Sequence, residues 1–280
     1  MIRARQLLMV DLQHDSVFTG SLPHAYERYL VPLIFAPYAE HLANRLAPRE
    51  PTRVLELAAG TGAATRAMAT VLPARTSIVA TDLNQPMLDH AVAIGTSRPV
   101  EWRRANALEL PFEDATFDAV VCQFGAMFFP DKPKAFAEAR RVLRPGGVFM
   151  LAVWDGIEEN DFANVVTTAV GSLYSADPPR FLARTPHGYH DVERIARDVA
   201  AGGFRSRPSV DTLELRSCAE SCRNPAIGFC VGTPLRNEIE ARDPSGLQRA
   251  TDVAAEALAQ RFGHGSVDGR MQAHVVMVDC

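Results

Sequence analysis

Glu56, Gly60, Gly62 and Asp82 stand where their residue types could do chemistry. In "VLELAAGTGAATR" (54–66) an apolar run breaks into Gly-Thr-Gly and resumes as Ala-rich helix material. Gly60 and Gly62 permit positive φ and let main chain approach a ligand with no side chain in the way. N–H groups and the dipole at the start of the next helix favour a negatively charged group, so the turn predicts a cofactor bearing a carboxyl or a phosphate. Asp82 follows Gly60 by 22 residues and closes the next apolar run. A carboxylate there accepts hydrogen bonds from both hydroxyls of a ribose, which points to a nucleoside cofactor. Two residues argue against a nicotinamide dinucleotide. Its fingerprint wants Gly or Ala three residues after the second glycine, where Thr65 stands. Glu56 would sit poorly beside a pyrophosphate and well beside an ammonium group.

Further candidates are looser. His187 and His190 flank Tyr189 in "TPHGYHD" (185–191), and a histidine near its ordinary pKa suits general-base work. The alternative for both is a loop or cap role. Tyr26 and Tyr29 lie three apart, enough for one aromatic surface on a helix. That surface could pack on the core or cover a cofactor. Asp155 closes the fifth apolar run, at the edge of the expected site. Cys218, Cys222 and Cys230 lack an obvious fourth ligand and the tight Cys-x2-Cys spacing of structural zinc, so no metal site is expected. "RRVLRPGG" (140–147) reads as structure: arginines at a helix C-terminus, then a turn into a strand.

The elements that would position these residues follow from periodicity. Strands are expected at 53–58, 76–81, 100–105, 118–123 and 147–154, and helices at 62–72, 85 to about 94, and 133–143. Short β-rich runs alternating with helices imply right-handed βαβ units and a parallel sheet. Before them, residues 1–22 read as a loose arm, and 24–46 as two short helices broken by Pro32 and Pro37. After Trp154 the rhythm changes. Residues 156–176 look helical, and Asp191 caps a helix that stops at Gly202-Gly203. Strands are expected at 210–216 and 273–279, with helices between them, notably 247–262. These last strands lack a helical crossover of ordinary length, which predicts an antiparallel edge. The domain reading is an arm and helical cap over 1–50, then one domain over 51–280 with helical insertions at about 156–190 and 217–270.

Composition narrows the partners. The 280 residues carry 47% hydrophobic and 22% charged side chains and a formal net charge of −4. No basic bias points to nucleic acid or a membrane surface. No run reaches the ~18 apolar residues of a spanning helix, and the amino-terminal apolar stretch is too short for a signal peptide. Five cysteines read as reduced thiols, so a cytoplasmic protein is expected.

"VLELAAGTGAATR", "ATDLNQPML", "ANALELPFEDATFDAVVCQFGAMFF" and "EARRVLRPGGVFMLAVW" occur in that order. They resemble successive motifs of class I S-adenosylmethionine-dependent methyltransferases, within the small-molecule group of the ubiquinone and menaquinone biosynthesis enzymes (a type 11 methyltransferase domain). The resemblance runs from about Val54 to Trp154; "HAYERYLVPLIFAPYAEHLANRL" (24–46) is similar to the helical cap of some members, and beyond residue 205 the likeness is thin. It implies a Rossmann-like, doubly wound, seven-stranded α/β sheet, mostly parallel with an antiparallel edge strand, and S-adenosyl-L-methionine as cofactor. Glu56 and the turn Ala58–Gly62, including Gly60 and Thr61, would hold the amino-acid end of that cofactor. Asp82 would bind the ribose, Leu83 and Met87 would line the adenine slot, and Asn106-Ala107 would read the adenine amino group. Asn106 departs from the family's Asp, yet its carbonyl oxygen can accept the same N–H. Gln123 would face the methionine portion. Of the aromatic pair read from spacing, Tyr29 is the candidate for covering the cofactor, with core packing as the alternative. Ala58 stands where the family often has Gly.

The implied function is methyl transfer to an oxygen or carbon of a small, largely apolar acceptor. A catalytically silent binding module or partner subunit of the same fold is the alternative. Nucleic acid and membrane are not expected as partners. Oligomeric state stays open, a homodimer included.

Overall fold

The structure is a computed structural model describing residue 20 and residues 22–280; the arm read over 1–22 falls, except for Gly20 and Leu22, outside the described residues. The chain forms two compact units. One contains Phe35–Trp154, Tyr189–Leu213 and Ala273–Cys280; the other contains Asp155–Gly188, Glu214–Gln272 and the described residues up to Ile34.

The first helical segments are α1 (Leu22–Ala25), a π-helical stretch (Tyr26–Phe35) and α2 (Ala36–Leu46). Two helices broken by proline were expected. Pro32 instead lies inside the π-helical stretch, whose wider winding is where a helix takes up an interruption. Pro37 falls in the first turn of α2, where its missing N–H is no loss.

In the larger unit the alternation of strand and helix is as the sequence implies: β1 (Arg53–Glu56), α3 (Ala63–Val71), β2 (Ser77–Asp82), α4 (Gln85–Ile94), β3 (Glu101–Arg104), β4 (Phe117–Gln123), α5 (Lys132–Val142) and β5 (Leu143–Trp154). The chain continues through α6 (Asp161–Leu173), α7 (Phe181–Arg184), α8 (Val192–Ala201), β6 (Ser209–Ala219), α9 (Arg223–Val231), α10 (Leu235–Arg242), α11 (Leu247–Phe262) and β7 (Val267–Asp279). The seven strands form one sheet in the order β3-β2-β1-β4-β5-β7-β6. Neighbours from β3 to β5 are parallel, and β7 runs antiparallel to β5 with Trp154 opposite Ala273. The antiparallel strand thus sits at the expected side of the sheet, one place in from β6.

Val54, Leu55, Val120, Val121, Phe149 and Leu151 are fully buried. Their strands are continuous apolar runs because helices cover both faces of a doubly wound sheet. Asp191 caps α8 as expected, accepting hydrogen bonds from the Glu193 and Arg194 N–H groups at 2.9 and 3.1 Å. Several boundaries differ: β1 stops at Glu56 rather than 58, α6 spans Asp161–Leu173 within the 156–176 expected, β6 runs on to Ala219 and β7 starts at Val267 rather than 273. β5 begins at Leu143 rather than 147, because Phe117 pairs with Leu143 and the register then jumps to Ala119–Val148. Residues 144–147 are the bulge between those pairings.

In the second unit, Phe162 of α6 meets Phe262 of α11 edge-on at 5.1 Å. The Ser217 hydroxyl donates to the Leu33 carbonyl at 3.0 Å. Among the described residues no helix is long and apolar enough to cross a membrane.

Candidate functional site

The glycine turn is built by a conflict between two neighbours of β1. The Leu57 N–H donates to the Val121 carbonyl of β4 at 2.8 Å, and the Ala59 N–H donates to the Thr81 carbonyl of β2 at 2.9 Å. Along a regular strand, N–H groups two residues apart point the same way; here they point to opposite neighbours. Ala58 absorbs the reversal at φ 52°, and Gly60 and Gly62 follow at 56° and 86°. For alanine this left-handed conformation costs about 1–2 kcal/mol, and it persists because both flanks are pinned. A Cβ on Gly62 would lie 2.7 Å from Cη2 of Trp102 on β3, so any larger residue would have to displace that ring and hold the strained positive φ as well.

Two buried carboxylates face this turn. The Gly60 N–H donates to Asp82 Oδ2 at 2.9 Å, and Asn84 donates to Oδ1 through its N–H at 2.8 Å and its side-chain amide at 3.3 Å. Burial nevertheless pushes the Asp82 carboxyl above its ordinary pKa, against the pull of those donors. Glu56 is 1% exposed. Burial raises its pKa to about 8; the Thr65 hydroxyl and Arg66 pull downward, and Asp82 pushes further up. The Thr65 hydroxyl donates to Glu56 Oε2 at 2.5 Å. In sequence Thr65 stands out only as a misfit to the dinucleotide pattern. Its position in the first turn of α3, facing back toward an acid on β1, was the available signal.

The other expected cofactor residues stand at the same ends of the strands. The Thr61 hydroxyl and Gln123 Oε1 are buried without a hydrogen-bond partner. The Gln123 side-chain amide donates to the Phe35 carbonyl at 3.1 Å. Leu83 is 48% exposed and Met87 is buried. Asn106 is exposed, with Oδ1 accepting from the Leu108 N–H at 3.0 Å, and Ala107 is half-buried. The Ala105 N–H donates to the Asp82 carbonyl at 3.0 Å and ties the exit of β3 to β2. Glu56, Ala58–Gly62, Asp82, Leu83 and Gln123 are therefore brought together at the carboxyl ends of three adjacent strands, where open α/β sheets bind ligands.

The histidines separate. His187 belongs to the second unit and His190 to the larger one. His187 is buried, and its Nδ1–H donates to the Asp155 carbonyl at 2.8 Å; a carbonyl can only accept, which fixes this tautomer. The Asp155 carboxylate in turn accepts from the Gly156 N–H at 2.7 Å and the Gln272 amide at 2.6 Å. His190 is exposed, immediately before the α8 cap. Tyr29 is half-buried in the π-helical stretch, with the Arg28 guanidinium 5.5 Å from its ring centre. Cys218 is exposed and donates to Asp268 at 3.6 Å, while Cys230 is buried and pushed up to about 12. Among the described residues no group of three His, Cys, Asp or Glu side chains is placed to hold a metal ion.

The family described as a methyltransferase domain matches residues 55–151, the span from β1 to β5. The demethylmenaquinone methyltransferase of Deinococcus radiodurans is 34% identical over 183 residues, covering 61% of this chain and 73% of that one. The chain belongs to the S-adenosylmethionine-dependent methyltransferases. A second relative of this methyltransferase, the ubiquinone/menaquinone biosynthesis C-methyltransferase of Escherichia coli, is 32% identical over 171 residues, or 56% of this chain and 68% of that one. Among solved structures, phosphoethanolamine N-methyltransferase 2 of Haemonchus contortus in complex with S-adenosyl-L-methionine superposes with a TM-score of 0.58. It is 18% identical over 96% of this chain and 59% of its own, a likeness of fold.

Proposed function

We propose that this methyltransferase moves a methyl group to a carbon or oxygen of a small, largely apolar molecule, and that a ring carbon of a hydroquinone is the foremost acceptor. Two relatives named for quinone methylation, one of them a C-methyltransferase, support the acceptor class. The observation that carries the cofactor half is the Gly60 N–H to Asp82 hydrogen bond, which joins the glycine turn to the acid at the end of β2.

The residues suit S-adenosylmethionine chemically. Glu56 offers a buried carboxylate to the ammonium group, and the orphaned Thr61 hydroxyl is a donor for the carboxylate. Asp82 retains acceptor capacity for ribose hydroxyls, since each carboxylate oxygen has two lone pairs. Leu83 and Met87 flank the adenine slot, with Asn106 and Ala107 at the exocyclic amine. Gln123 has an orphaned oxygen to offer the methionine portion. The cofactor supplies an electrophilic methyl group and departs as S-adenosylhomocysteine. The protein aligns the acceptor with the methyl–sulfur axis and keeps water out.

A base takes the acceptor hydroxyl proton, and after methyl transfer the ring carbon's own hydrogen shifts to restore the hydroxyl. The candidates are His187, whose Nδ1–H is committed to the Asp155 carbonyl, and His190, exposed beside the α8 cap; of the two, only His190 belongs to the unit that carries the glycine turn. The test is methyl-labelled S-adenosylmethionine supplied with demethylated hydroquinones and simple phenols. Label in a ring carbon of the hydroquinone supports the reading; transfer only to amines or macromolecules defeats it. Replacing whichever histidine serves as base by Gln should lower kcat about 10²–10⁴-fold and leave S-adenosylhomocysteine affinity unchanged, whereas unaltered kcat in both His187→Gln and His190→Gln would remove the histidines from the base role.

A further inference from the structure

The loop leaving β4 and the glycine turn leaving β1 meet at one point. A Cβ on Gly125 would fall well inside van der Waals contact of the Ala58 Cβ and 3.0 Å from Cys122 Sγ. Gly125 itself has φ −103° and ψ −34°, a conformation any residue adopts. Glycine is needed there for space and not for backbone freedom.

Neither partner can easily give way. Ala58 is held between the Leu57 and Ala59 hydrogen bonds to β4 and β2. On the other side, Phe124 is itself left-handed at φ 53°, a rare state for a bulky residue. Its N–H donates to the Ala152 carbonyl at 2.9 Å. Its ring stacks on Trp154 at 3.8 Å, with Tyr38 edge-on to both at 5.3 and 5.4 Å. The Phe128 N–H closes the loop onto the Gly125 carbonyl at 3.0 Å. A left-handed non-glycine residue thus stands on either side of the contact, Phe124 just before Gly125 and Ala58 against it, each held by hydrogen bonds to neighbouring strands. Such paired strain is a feature of sites where geometry is set in advance of a ligand.

We propose that Gly125 is a positioning residue for the cofactor: its bare Cα lets the β4 exit loop abut Ala58 and so sets the path of the turn that carries Gly60 to Asp82. A methyl group at 125 pushes Ala58, and the displacement reaches the cofactor contacts two residues later. The proposal rests on the reading of Ala58–Gly62 as the cofactor turn.

The test is a double-mutant cycle read by calorimetry with S-adenosylhomocysteine, well below the melting temperature of each variant. Gly125→Ala should weaken binding at least tenfold. Ala58→Gly removes the opposing Cβ and is the reference of the cycle: on that background Gly125→Ala should weaken binding less than threefold. A Gly125→Ala protein that folds and binds normally overturns the proposal, as does a loss of threefold or more when Gly125→Ala is added to Ala58→Gly. If Gly125→Ala does not fold, the double variant decides by the same threefold criterion. A merely structural glycine would lower the melting temperature without moving affinity or showing this rescue. Asp82→Ala separates the two levels: if it too leaves affinity unchanged, the cofactor reading has failed and not the positioning role alone.

Discussion

At the amino-terminal end of the parallel strands, Asp118 of β4 accepts from the Thr52 N–H and hydroxyl, the Arg53 N–H and the Arg144 guanidinium, at 2.5–2.8 Å. Partial burial pushes its carboxyl up, but these donors outweigh it and hold the pKa below its ordinary value. At the carboxyl ends of the neighbouring strands, Glu56 and Asp82 are more deeply buried and both shift upward. Beside them lie left-handed Ala58 and Phe124 and the orphaned oxygens of Thr61 and Gln123. The Asp118 cluster partners its carboxylate well and fastens β1, β4 and β5 together. The carboxyl end leaves the Thr61 and Gln123 oxygens unsatisfied, which is tolerable where a ligand completes the structure. Left-handed non-glycine residues stand at both ends, Glu50 before β1 and Ala115 before β4 among them, so the orphaned oxygens and raised carboxyls carry the contrast rather than backbone strain.

Exchanging the acid at each end is the most severe challenge to this contrast. Asp82→Ala should weaken S-adenosylhomocysteine binding about 100-fold, from the loss of hydrogen bonds to a charged acceptor worth about 1.5–3 kcal/mol each. Asp118→Ala should leave affinity within twofold and cost about 2 kcal/mol of stability, a fall of about 4–8 °C in melting temperature. Calorimetry and thermal unfolding of both variants read the two quantities. Equal affinity losses would erase the distinction between the ends.

The two ends also respond to pH with opposite sign. Asp118 has a depressed pKa, so the stability it contributes is present above the ordinary carboxylate range and is lost on acidification. Glu56 has a raised pKa of about 8, so the folded chain holds that proton more tightly than the unfolded one. Its contribution to the unliganded protein is complete at low pH and fades as pH rises from the ordinary carboxylate range to about 8. The cofactor ammonium group prefers ionised Glu56. Affinity for S-adenosylhomocysteine should therefore climb between pH 6 and 8, by at most about tenfold per unit, and level off above about 8. Glu56→Gln should flatten that climb. Titrations across this range that stay level in the unmodified protein, or keep their slope in the variant, would take Glu56 away from the ammonium group.

Sequence alone exposed the parts of this molecule that periodicity and turn chemistry control. β1 to β5 and their helices were legible because short apolar runs alternate with amphipathic ones, and Gly60, Gly62 and Asp82 because their residue types are needed at fixed offsets. The Asp191 cap was legible for the same reason. What stayed hidden depends on contacts between segments far apart in sequence. Nothing local marks Ala58 as left-handed; its conformation follows from hydrogen bonds to two different strands. In sequence Gly125 is only the glycine that opens the apolar run "GAMFF" (125–129), and its close approach to Ala58 spans 67 positions. Pro32 read as a helix breaker because propensity assumes α winding, and the π-helical stretch evades that rule. The bulge ahead of β5 arises from register with β4, which one strand cannot announce by itself.

The finest test of the contrast uses two threonines. Thr61 and Thr52 each precede a structural element and differ in what their hydroxyls meet. The Thr61 hydroxyl is buried with no partner, so Thr61→Val removes an unsatisfied group while keeping the shape. Unliganded stability should stay level or rise by up to about 1 kcal/mol, and S-adenosylhomocysteine affinity should drop about three- to tenfold as one ligand hydrogen bond disappears. The Thr52 hydroxyl donates to Asp118, so Thr52→Val should do the reverse. Affinity holds, and stability falls by about 0.5–1 kcal/mol, at the low end of the range because Thr52 is exposed. Chemical denaturation and calorimetry on the pair give four numbers with a crossed pattern. If Thr61→Val destabilises the unliganded protein as Thr52→Val does, its hydroxyl already has a partner, and the carboxyl end of the sheet is as complete without ligand as the amino-terminal end.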